Sequence, residues 1–144
     1  MKPEYALVVL AAGIGSRFGG VKQMEPIDKD GNFIIDYSVF DAKRAGFDKV
    51  VFIIKEAIAE DFKATIGARV EKHIKVEYAY QELSDIPAGY EVPEGRVKPW
   101  GTTHAVRATR EIVKEPYGVI NADDFYGRNT YEKLAAHLSK LEKG

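Results

Sequence analysis

Residues Tyr5 to Leu10 form an unbroken apolar run, Tyr-Ala-Leu-Val-Val-Leu, that gives way at once to Ala11-Ala12-Gly13. A strand with one wet face alternates apolar and polar residues. A run without alternation reads as a strand buried on both faces, the position of a central strand in a parallel sheet. Such a strand needs cover on each side, and its parallel neighbours need long crossovers, usually helices.

The rest of the chain supplies that pattern. Ile35, Val39 and Ala42 recur at helical spacing, and Gly46 stands where that helix should end. Val50 to Ile54 is a second strand-like run rich in β-branched residues. Ile58, Phe62 and Ile66 mark a second helix, with Gly67 as its expected stop. Ile74 to Tyr80 alternates, as a half-buried strand nearer an edge does. Thr102 to Val113 reads as a third helix with Val106, Thr109 and Val113 on one face, and Tyr117 to Ile120 as a fourth strand. Asn129 or Thr130 can cap a last helix faced by Tyr131, Leu134, Leu138 and Leu141. Lys29-Asp30-Gly31-Asn32 is a turn by composition. Gln81 to Trp100 has no periodicity and three prolines, and a loop that long in a compact domain is usually functional or mobile.

Strand and helix alternate throughout, which predicts an α/β fold: a Rossmann-like, doubly wound, mainly parallel sheet with helices on both faces. Right-handed crossovers favour strand order 3-2-1-4, so strands one and four become neighbours where the order reverses. Ligands of such sheets bind beyond the carboxyl ends of the strands at that point. The segments after residues 10 and 120 should therefore meet.

Composition narrows the function classes. The net charge is only −1, whereas domains that hold nucleic acid by bulk charge are clearly basic, so no nucleic-acid partner is expected. No cysteine is present, which removes disulfide frameworks and cysteine-based zinc sites. The apolar run at the amino end is too short for a membrane span, and Glu4 precedes it where a signal peptide would be basic. A cytoplasmic protein with no membrane partner is expected.

The first strand leads into Gly13-Ile14-Gly15-Ser16-Arg17-Phe18-Gly19-Gly20-Val21-Lys22-Gln23, with four glycines in the first eight positions. Glycines let the backbone turn tightly and bring its N–H groups to an anion. Ser16 adds a hydroxyl donor, Arg17 a planar fork of donors and Lys22 a mobile point charge. Together they suit a polyphosphate. The dinucleotide pattern fails at Phe18, and the P-loop pattern fails because Lys22 lies between Val21 and Gln23.

The stretch Leu10 to Gln23 resembles the opening motif of nucleotidyltransferases with an NTP-transferase domain, which include the sugar-1-phosphate nucleotidylyltransferases. Lys98-Pro99-Trp100-Gly101-Thr102-Thr103-His104-Ala105 resembles the G-T-x-x-A segment of that family. Val119-Ile120-Asn121-Ala122-Asp123-Asp124-Phe125-Tyr126-Gly127 resembles the segment that ends in its metal-binding aspartate. The likeness runs from about Ala6 to Tyr131, with the three motifs in family order.

The resemblance implies transfer of a nucleotidyl group from an NTP to a sugar 1-phosphate, or a similar phosphorylated acceptor, with release of pyrophosphate. It implies that Ala11, Ala12 and Gly13 lie against the base, and that Gly15, Ser16 and Arg17 hold the phosphates, with Arg17 also neutralising pyrophosphate as it leaves. Lys22 would contact the phosphate under attack, Gln81 would read the base edge, Gly101 and Thr102 match the base-contacting glycine and its neighbour, and Asp123 would be the first Mg²⁺ ligand. Attack on a charged α-phosphorus is opposed mainly by charge, so cations and a metal matter more than a general base.

Taken alone, Asp123-Asp124 fits a capped turn better than a metal site, Gln81 could be an ordinary surface polar residue, and Trp100 could pack the loop or shield the base. His73, His104 and His137 show no ligand spacing, and His104 is expected to be structural. A nucleotide-sugar-dependent glycosyltransferase would also carry acidic residues after a comparable strand, but such enzymes generally lack the glycine loop with Lys22. A non-catalytic nucleotide-binding module is the third reading.

Family members run on well past residue 144, into further strands, the acceptor pocket and a second metal-binding aspartate. The expectation is that residues 1–144 are the nucleotide-binding, amino-terminal part and that the acceptor-binding part is absent. Such a part should bind NTP weakly, turn over slowly or not at all, and be open to homo-oligomer formation through an exposed sheet edge.

Overall fold

The computed structural model describes residues 5–12, 29, 33–95, 101–122 and 126–140. Along the chain run β1 (Ala6–Leu10), α1 (Ile34–Ala45), β2 (Lys49–Ile54), α2 (Glu56–Phe62), α3 (Ala68–Glu71), β3 (Lys75–Tyr80), α4 (Thr102–Arg107), β4 (Tyr117–Asn121) and α5 (Arg128–Leu138). The four strands form one all-parallel sheet in the order β3-β2-β1-β4. This is the Rossmann-like arrangement that the alternation and the crossover rule predict.

Successive residues of β1 and β2 point to opposite faces, and both faces are buried. Leu7, Val9, Val50, Phe52 and Ile54 join Ile35, Val39 and Ala42 of α1, Phe62 of α2, Val70 of α3, and Tyr131, Ala135 and Leu138 of α5 in the larger core. Ala6, Val8, Val51, Ile53 and Ala79 face the other way, under Ala105 and Val113. Helices therefore cover both faces, though α4 covers its face with a single short element. Among the described residues no helix is long and apolar enough to cross a membrane.

Local chemistry sets the helix limits. The Phe33 backbone N–H donates to the Asp36 carboxylate at 2.8 Å and so satisfies one orphan donor before α1. Gly46 ends α1 in the left-handed region, φ +114°, as its place in the sequence predicts.

Three expectations are corrected. Gly67 does not end a helix: Lys63–Gly67 form a π-helical turn that joins α2 directly to α3. The glycine serves packing, because a Cβ at position 67 would run into the Tyr78 hydroxyl. The third helix stops at Arg107 rather than Val113. Beyond it, Thr109, Arg110 and Ile112 donate to carbonyls three residues back, and the Thr109 hydroxyl takes the Val106 carbonyl at 2.7 Å. Thr109 and Val113 remain buried all the same. Finally, Gly127, not Asn129 or Thr130, caps α5, while the Thr130 hydroxyl donates to the Tyr126 carbonyl. Of the expected α5 face, Tyr131 and Leu138 are buried and Leu134 packs at its margin, while Leu141 lies outside the described residues.

Candidate functional site

The strands end together at one rim. Leu10 pairs with Ile53 on one side and with Asn121 on the other. Each chain then continues its ladder by one residue. Ala11 N–H donates to the Ile53 carbonyl at 2.9 Å, Gln81 N–H to the Ile54 carbonyl at 2.9 Å, and Ala122 N–H to the Leu10 carbonyl at 3.1 Å. Ala11, Ala12 and Ala122 are buried, and their small side chains keep this rim low. Tyr126 turns back to the end of β4, where its hydroxyl accepts from the Asn121 N–H at 3.1 Å.

Gln81 is the polar side chain sunk into this rim, with 7% of its surface exposed. A buried amide needs partners. Its nitrogen lies 3.4 Å from the Gly101 carbonyl and 3.1 Å from Nδ1 of His104. Gly101 precedes α4, and Thr102 is the first residue of that helix and exposed. The fold thus joins Gln81 and the Gly101-Thr102 pair, twenty residues apart in sequence, at one corner of the sheet. α4 also packs against β1, the strand that ends in Ala11 and Ala12.

Sequence reasoning missed the support behind Gln81. Nε2 of His104 donates to the Asp85 carbonyl at 2.6 Å. Arg107 donates to the same carbonyl at 3.1 Å and to the Asp85 carboxylate at 2.9 Å. Arg110 grips that carboxylate with two nitrogens, each at 3.0 Å. Hydrogen bonds from Arg110, then from Arg107, hold the Asp85 carboxyl below the usual carboxylate range against the opposing effect of burial. The available signal was that His104, Arg107 and Arg110 recur at helical spacing of three, with Asp85 in the preceding loop.

Of the residues expected in the site, Ala11, Ala12, Gln81, Gly101 and Thr102 are described. Gly13, Gly15, Ser16, Arg17, Lys22 and Asp123 lie outside the described residues, as does Trp100. Among the described residues no group of His, Asp or Glu is placed to hold a metal ion. The Mg²⁺ expectation therefore rests on Asp123, which follows Ala122 in sequence. A cavity of about 1000 Å³ lies elsewhere, lined by α1, α3 and Arg128. Its arginines are paired: Arg44 with Asp41, Arg69 with Asp36, and Arg128 with Glu132.

Solved structures share this fold. A UDP-glucose pyrophosphorylase solved in complex with UDP-glucose superposes with a TM-score of 0.58 at 21% identity, over 95% of this chain and 54% of that one. A putative glucose-1-phosphate thymidylyltransferase from Bacillus anthracis gives 0.63 at 18% identity, over 92% and 50%. Rv0371c from Mycobacterium tuberculosis gives 0.59 at 19%, over 94% and 60%. At these identities the likeness shows the fold. The chain spans about half the length of the solved structures it matches. No curated protein matches it significantly. The nucleotidyl transferase family model matches residues 6–144, nearly the whole chain, and the chain belongs to that family.

Proposed function

We propose that the chain binds an NTP across the rim of its sheet and serves the transfer of the nucleotidyl group to a sugar 1-phosphate or a similar phosphorylated acceptor. The observation that carries this reading is the corner where Gln81 meets Gly101, on the same carboxyl-end rim of the sheet as the paired ends of β1 and β4. A base there would lie against Ala11, Ala12 and Gly13, with Gln81, Gly101 and Thr102 at its edge. The two segments expected to hold phosphate and metal leave from neighbouring strands, after Ala12 and after Ala122.

In the proposed reaction an acceptor phosphate oxygen forms a bond to the α-phosphorus. The bond from that phosphorus to its bridging oxygen breaks, and pyrophosphate leaves with the electron pair. Gly15, Ser16 and Arg17 would hold the phosphates, and Lys22 would meet the one under attack. Arg17 would also offset the charge that builds on the leaving group. A Mg²⁺ ion held by Asp123 would supply further charge neutralisation between the phosphates. Residues 1–144 are assigned the nucleotide half of this reaction, and the acceptor site is assigned to none of them.

Calorimetric titration with ATP, GTP, CTP, UTP and TTP, each with Mg²⁺, tests the reading. At least one NTP is expected to bind, and Arg17→Ala or Asp123→Asn should each weaken it about tenfold or more, the loss expected for a charged hydrogen-bonding partner. Binding by none of the five would sink the proposal. Tighter binding of a nucleotide sugar than of any NTP would instead favour the glycosyltransferase reading.

A further inference from the structure

A carboxamide has a donating end and an accepting end, and its orientation decides what it can read. For Gln81 the surrounding groups fix that orientation. A backbone carbonyl only accepts, so the end of the amide facing Gly101 is the NH₂. The Asp85 carbonyl also only accepts, so the His104 nitrogen facing it, Nε2, carries a proton. Nδ1 then keeps its lone pair and accepts the second N–H of Gln81, at 3.1 Å. Three hydrogen bonds therefore run one way and end on two carbonyls, neither of which can reverse its role. Arg107, bound to the carbonyl and carboxylate of Asp85, fixes the far end of the relay.

We propose that His104 is a positioning residue that locks the Gln81 carboxamide with its nitrogen toward α4, so that the amide presents an acceptor to a bound base. The inference rests on the reading that Gln81 lies at the base edge. An acceptor there pairs with a ring nitrogen that carries a proton, as in uracil, thymine and guanine. It opposes the bare ring nitrogen of cytosine or adenine. The cost of such a mismatch amounts to a preference on the order of tenfold or more.

The test compares the binding of UTP, TTP, GTP, CTP and ATP, each with Mg²⁺, to the full chain and to three variants. The unaltered chain should favour the first three nucleotides. His104→Leu, which removes the acceptor, should shrink that preference about tenfold while the phosphates still bind. His104→Asn, whose side-chain oxygen can accept in place of Nδ1, should restore it. Gln81→Ala should abolish it. If no nucleotide binds the unaltered chain, the underlying reading fails. If Gln81→Ala alters base preference and His104→Leu does not, that reading stands and the positioning role falls. Preference for CTP or ATP, or none at all, also overturns it. Nitrogen NMR of the unaltered chain decides the matter even if His104→Leu does not fold. The proposal requires a proton on Nε2 and none on Nδ1, and the reverse tautomer defeats it.

Discussion

Gly46 shows how much one residue can hold. It ends α1 at φ +114°, a conformation that a residue with a side chain adopts only with strain, and a Cβ there would lie 2.6 Å from the Tyr5 hydroxyl. Gly46→Ala is expected to destabilise the fold by about 1–3 kcal/mol, read as a lower urea midpoint with an unchanged slope. An unchanged midpoint would show that the chain adjusts without cost. The place of Gly46 could be read from sequence because the local pattern, a helical run followed by glycine, is itself the physical cause. Gly67 has the same local pattern and a different cause, a tyrosine on a strand that the chain reaches only later. His104 is expected from sequence to be structural, but its partner Asp85 escaped for the same reason: it offers a backbone carbonyl in a loop without periodicity.

At the scale of elements, the π-helical turn and α3 close over an aromatic cluster. The Phe52 and Phe62 rings lie 4.9 Å apart, nearly edge to face, and Tyr78 stands 6.1 and 6.4 Å from them. The Tyr78 hydroxyl donates to Glu71 at 3.3 Å. Burial, and then the Glu71 charge, push its pKa up to about 12. An unfolded tyrosine loses its proton near pH 10. The folded chain therefore holds this proton more tightly, and the associated stability is present below about pH 10 and is lost as pH rises toward 12. Urea unfolding across that window should show a steeper loss for the unaltered chain than for Tyr78→Phe. Parallel curves would refute the linkage. Phe62 was readable in the sequence as part of a helix face and Tyr78 as part of a half-buried strand, but the extra residue per turn was not. A π-turn arises from packing between elements and has no period of its own.

For the whole molecule, order 3-2-1-4 leaves different edges. On β3, Lys75 and Glu77 pair with each other, and Glu77 also lies near Lys49. Charge of this kind discourages strand addition. On β4 no charged residue intervenes from Tyr117 to Asn121, and Tyr117 and Val119 are each 41% exposed. Self-association through this edge is expected, and Val119→Lys should shift light scattering at high concentration toward the monomer. A clean monomer for the unaltered chain would refute it. The topology was legible because strand alternation and handedness leave few arrangements. The rim was legible in part: the resemblance named Gln81, Gly101 and Thr102 as residues at the base, whereas the contact of Gln81 with Gly101 and its buttress from Asp85, Arg107 and Arg110 depend on how a long loop folds back.

The pairing of Ala6 with Tyr117 also has a kinetic side. β1 is synthesised before the other three strands, yet one of its two flanks stays vacant until translation has passed residue 117. β2 can pair with it, and β3 with β2, long before that. The closing step joins the strands that lie farthest apart in sequence, and long-range closures of this kind are slow. During synthesis, β1 thus waits with half of its backbone groups still bonded to water.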